Sequence, residues 1–157
     1  MEPSVFLPPT HGEFVMLARL VLAALAGGAV GWNRYRAGKP AGIGTHALVA
    51  LGAGLFVAVP TIAGDESLNA LSRTIQGVAT GIGFLGAGEI FRDPSEGNRI
   101  TGLTSAAALW ATAALGIVIG CGSLFGAIST TLLLLAVLEL APRIEKRLPR
   151  RDPPPAA

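Results

Sequence analysis

Arg19 and Glu89 are charged residues that stand inside apolar runs of this sequence. His46 opens a third apolar run, and Asp93 and Glu96 follow Glu89 in a short polar segment. An ionised group in such a run is costly, so each calls for a partner or a task. Glu89, Asp93 and Glu96 together have the chemistry of a weak Mg²⁺ site, since that ion keeps several waters and accepts one or two carboxylates. A solvated loop of mixed charge is the plainer reading and the preferred one. An ion pair is the expected role of Glu89, with Arg34, Arg36, His46 or Arg92 as the base. Arg19 is expected to snorkel to the interface, or to pair with Asp65 or Glu66. His46 has no cysteine beside it and no second histidine at ligand spacing, which argues against zinc. No Ser/His/Asp set gathers on one side of the chain's apolar runs. The sequence therefore points to no enzyme, no resident metal and no cofactor.

These residues must be positioned by apolar helices. Thr74 to Phe91, TIQGVATGIGFLGAGEIF, is 18 residues long and holds Gly77, Gly81, Gly83, Gly86 and Gly88. Interior glycine costs a helix about 1 kcal/mol in water. In a bilayer a helix is close to obligatory, and glycine lets a neighbouring helix approach. Gly77, Gly81 and Gly88 share one side, with Gly83 and Gly86 nearly opposite. Such a helix is expected at the centre of a bundle, packed from two directions. Gly81 to Gly86 also reads G-x-G-x-x-G, but no strand precedes it and no acid follows at the required distance. Packing is the better reading.

Hydrophobic residues make up 51% of the 157 and charged residues 14%, well below the quarter typical of soluble proteins. Mean hydropathy is +0.58. The expected spans are Phe14–Trp32, Thr45–Ile62, Thr74–Phe91, Leu103–Ile119 and Leu124–Ala141. Gly27 and Gly31 form a small-residue contact motif in the first. With five spans, ten of the twelve bases fall on one side (Arg34, Arg36, Lys39, Arg92, Arg99 and the tail). That asymmetry predicts an external N-terminus and a cytoplasmic C-terminus. Residues 1–13 lack the positive charge of a secretory leader. The reading is an all-α integral membrane bundle over 14–141, after an extracytoplasmic segment 1–13 and before a basic, proline-rich tail 142–157. The bases lie in loops and tail rather than on one helix face, so nucleic acid is not an expected partner. Cys121 is the only cysteine, so no disulfide forms within the chain.

Three stretches carry a family resemblance: AGIGTHALVALGAGLF (41–56), TGIGFLGAGEIF (80–91) and GLTSAAALW (102–110). In that order and separation they resemble the MgtC/SapB family of bacterial inner-membrane proteins. The resemblance implies a five-helix domain in the plasma membrane, linked to growth in low Mg²⁺ and to virulence. It implies a regulator acting on another membrane protein, the F-type ATP synthase among the candidates, or on a second copy of itself. The alternative is a transporter or channel for Mg²⁺ or another cation. Thr45, His46, Phe84, Gly102, Thr104 and Trp110 are the motif positions it singles out. The family usually carries acids where this chain has Asn33 and Tyr35, and an apolar residue where it has Glu89. Glu89 is expected to supply the acid missing at Asn33. Many members continue into a C-terminal ACT-like domain, which this sequence does not contain.

Overall fold

The computed structural model describes residues 11–64, 67–93 and 99–148. Five helices account for most of them: α1 (His11–Arg36), α2 (Ile43–Ile62), α3 (Leu68–Glu89), α4 (Leu103–Gly120) and α5 (Leu124–Glu145). A two-stranded antiparallel hairpin, β1 (Phe91–Asp93) and β2 (Arg99–Thr101), joins α3 to α4 where a loop was expected. Glu96, Asp65, Glu66 and the end of the tail lie outside the described residues.

Local signals set the boundaries. Ser67 and Ser123 cap α3 and α5, their hydroxyls accepting from the amides of Ala70 (3.2 Å) and Gly126 (3.0 Å). Gly102 and Gly122, both at φ +86°, turn the chain into α4 and out of it. The cap at Ser67 starts α3 at Leu68, six residues before Thr74, where that span was expected to begin. At the far end α5 runs through Pro142 to Glu145, into the stretch read as tail.

The bundle is all-α with five helices, four of which are long and apolar enough to cross a membrane: α1, α2, α4 and α5. At 22 residues α3 is long enough, about 33 Å at 1.5 Å per residue. Its first half, with Asn69, Ser72, Arg73 and Gln76, lowers its hydropathy. It nevertheless runs beside α4, with Gly86 against Ala106 and Ile82 and Val78 clustered with Ala113 and Ile117.

The centre belongs to α4, not to the glycine helix. α4 contacts each of the other helices and buries Ser105, Ala108, Leu109, Thr112, Ala113, Leu115, Gly116 and Ile119. α3 packs on α4, lightly on α2, and buries only Ile82. A Cβ on Gly77, Gly81, Gly83 or Gly88 would meet nothing within 4 Å; only Gly86 faces a neighbour. The physical reason is that glycine thins a helix whether or not the same chain fills the space. Close crossings occur elsewhere. A Cβ on Gly27 would strike the His46 carbonyl, and one on Gly31 the Gly42 carbonyl at 2.6 Å, which brings α1 onto α2. A Cβ on Gly116 would strike the Ala50 carbonyl, and one on Gly120 would lie 2.9 Å from the Gly54 carbonyl oxygen, which brings α4 onto α2. Around these crossings Ala23, Val30, Ala50, Leu115, Ile119 and Ala127 form the main core.

Candidate functional site

Helix direction brings the C-terminal ends of α1, α3 and α5 together with the N-terminal ends of α2 and α4. At this basic end the buried polar side chains gather. Arg34 is 3% exposed and His46 fully buried. Arg34 Nη2 donates to Ser105 Oγ at 3.2 Å, tying α1 to α4. His46 Nδ1 lies 3.0 Å from the Gly42 carbonyl oxygen. A carbonyl only accepts, so Nδ1 carries a proton. Arg34 Nε and His46 Nε2 are both buried without a hydrogen-bond partner among the described residues.

Glu89, the last residue of α3, supplies the opposite charge. It is half-buried and interacts electrostatically with both Arg34 and His46. Its position is fixed from behind, since Gly102 packs directly on the Glu89 carbonyl. Four helices thus contribute Arg34, His46, Glu89 and Ser105 to one cluster. Of the bases named for Glu89, Arg34 and His46 are near enough to interact with it electrostatically. Asn33 takes another acid altogether: its Nδ2 donates to Glu139 Oε2 at 2.9 Å, and Arg143 pairs with the same carboxylate.

Glu139 was missed in the sequence. The signal was available, an acid inside the leucine-rich run with Arg143 four residues on. Arg19 sits at the opposite end of the bundle. Its Nη1 donates to the Gly120 carbonyl at 3.2 Å, and its guanidinium lies over Gly122, whose added Cβ would be 2.6 Å from Cζ. Arg19 therefore caps the C-terminus of α4, where carbonyls and the helix dipole favour a cation.

The remaining sequence candidates scatter. Thr104, Trp110 and Phe84 are exposed, Phe84 at 83%. Asp93 ends β1, and the three-carboxylate grouping with Glu96 falls partly outside the described residues. The G-x-G-x-x-G run lies wholly within α3, where its amides belong to the helix. Thr45 lines an open groove of about 780 Å³ between α2 and α3. Gly52, Phe56, Gly77, Gly81 and Leu85 line it too, and Ala113 of α4 forms its floor.

The MgtC family model matches residues 20–147, across all five helices. This chain belongs to the MgtC family. It is 56% identical over 128 residues to the protein SrpB of Synechococcus elongatus, covering 75% of this chain and 69% of that one. It is 39% identical over 146 residues to the candidate magnesium transporter YhiD of Escherichia coli (strain K12), covering 89% and 66%. It is 40% identical over 124 residues to the protein MgtC of Brucella abortus (strain 2308), covering 78% and 50%. The chain thus spans between half and about two thirds of the length of these relatives. No solved structure matches it. The matched region contains Arg34, His46, Glu89, Ser105 and Glu139, so the polar cluster lies inside the family domain.

Proposed function

We propose that this MgtC-family member is a non-enzymatic regulator of the bacterial plasma membrane. It acts in adaptation to low Mg²⁺ by docking onto another membrane protein, with its basic end in the cytoplasm. The observation that carries this reading is where the buried polar groups lie. Among the described residues they are Arg34, His46, Ser105 and Thr112. The first three sit together at one end, and the Thr112 hydroxyl donates within its own helix to Ala108 O at 2.8 Å. The rest of the core is alanine, valine, leucine and isoleucine. A cation path needs polar or ionisable groups near the midplane. The groove between α2 and α3, by contrast, is mostly apolar and lined in part by glycine, the kind of surface on which helices pack in membranes.

A carrier for Mg²⁺ is the second reading, favoured by the description of the E. coli relative. The buried guanidinium of Arg34 speaks against it, because a cation beside a cation is repelled at short range. The F-type ATP synthase is the first partner to examine, on the family resemblance. The deciding experiment is affinity capture from solubilised membranes of cells grown with and without Mg²⁺ starvation, alongside Mg²⁺ uptake into vesicles holding the purified protein. The regulator reading expects a membrane protein recovered reproducibly and vesicles no leakier than empty ones. Saturable Mg²⁺ uptake with no recovered partner would replace it with the carrier reading.

A further inference from the structure

The groove and the α4 contact leave one face of α3 unused. It carries Arg73, Gln76, Thr80, Gly83 and Ala87, all exposed. Their spacing alternates three and four residues, the seam of a left-handed helix pair. This face lies at bilayer depth, because α3 runs beside the apolar helix α4, with Gly86 beside Ala106 and with Ile82 and Val78 in one cluster with Ala113 and Ile117. Gln76 and Thr80 would therefore point their polar groups into hydrocarbon. Among the described residues the Gln76 amide nitrogen has only a long bond within its own helix, 3.4 Å to Ser72 Oγ. Lipid tails offer such a group no hydrogen bond, so a protein surface is the favourable cover.

We infer that this face pairs with the same face of a second copy, making α3 the axis of a homodimer. Copies of one chain share an orientation in the membrane. A two-fold axis relating them lies along the membrane normal, so α3 meets α3 in parallel and each seam residue meets its own counterpart. Only a self-complementary seam survives that arrangement. The glutamine amide both donates and accepts, as does the threonine hydroxyl, so each can bond its twin. Gly83 and Ala87 let the two backbones approach below them. Arg73, which would repel its twin, stands near the start of α3, where a long side chain reaches the aqueous interface. The inference does not depend on the α2/α3 groove, which faces another way.

Cysteine cross-linking in native membranes tests it, in a Cys121→Ser background because Cys121 is exposed. Gly83→Cys and Thr80→Cys place thiols on the seam; Gly81→Cys faces the groove, and Leu133→Cys sits on the exposed side of α5. Copper-phenanthroline oxidation should give about fivefold or more disulfide dimer from the two seam variants than from the two controls. Adding Gln76→Leu to Gly83→Cys should lower the dimer yield several-fold at unchanged abundance. Seam yields no higher than that of Leu133→Cys would overturn the homodimer. So would trapping of Gly83→Cys to a different protein. An unchanged yield with Gln76→Leu would remove the polar pairing on which it stands.

Discussion

Gly102 and Glu89 are locked backbone to backbone: a Cβ on Gly102 would overlap the Glu89 carbonyl, and Gly102 holds φ at +86°. This contact closes the α3–hairpin–α4 corner and sets the height of Glu89 beside Arg34 and His46. Gly102→Ala meets both obstacles. The left-handed conformation costs a side chain about 1–2 kcal/mol and overpacking about 1–3 more. Thermal unfolding in detergent should therefore show a loss of at least about 2 kcal/mol. Gly44→Ala, where a Cβ meets nothing within 4 Å, is the control and should change little. Equal stability of the two variants would contradict the corner described here.

Glycine substitutions separate packed from open positions. Gly27→Ala and Gly31→Ala push a methyl group into the backbone of α2 and should cut accumulation in the membrane sharply. Gly77→Ala and Gly83→Ala enter open space within the chain and should accumulate as wild type, or better, since alanine favours a helix by up to about 1 kcal/mol. Immunoblots of membrane fractions read the difference. The reverse order would return α3 to the middle of the bundle.

The contrast between those glycines shows what was legible in the chain. Apolar runs placed five helices, because that signal acts locally, while the serine cap that begins α3 at Ser67 went unread. Gly27 and Gly31 read correctly as a contact, since their helix has a sequence neighbour folding back on it. Gly77, Gly81 and Gly83 misled, because periodicity reports a thin face without saying whose helix fills it. The central role of α4 was hidden for the same reason: its contacts come through Gly116, Gly120 and alanines that look unremarkable in a row. Arg34 was named only as a possible partner of Glu89, because a base at the end of a helix looks solvated. Its burial depends on α4 bringing Ser105 to it, a long-range fact.

Arg19 stabilises the end of α4 by capping Gly120 O. Arg19→Met keeps most of the apolar stem and removes the cap. The expected loss is about 1 kcal/mol, rising towards about 2 if the site is partly shielded from water. Arg19→Lys should recover part of it. A Met variant as stable as wild type would return Arg19 to the role of a snorkelling side chain.

Glu89→Gln distinguishes a structural acid from an ion ligand. The amide keeps the shape and loses the charge near Arg34 and His46. On the structural reading, membrane abundance falls and growth in low Mg²⁺ falls in proportion to it. Normal abundance with abolished growth would make Glu89 a ligand instead.

The most direct test of the regulatory account uses a groove glycine, Gly81, where an added Cβ would meet nothing within 4 Å of its own chain. Gly81→Leu projects a side chain into the space between α2 and α3 from a position where a Cβ is unopposed. Wild-type and Gly81→Leu proteins, matched for abundance, are captured from solubilised membranes of Mg²⁺-starved cells and their co-purifying membrane proteins quantified. The account predicts a partner recovered with wild type and lost, about tenfold or more, with Gly81→Leu. Equal recovery with both proteins would contradict docking in the groove.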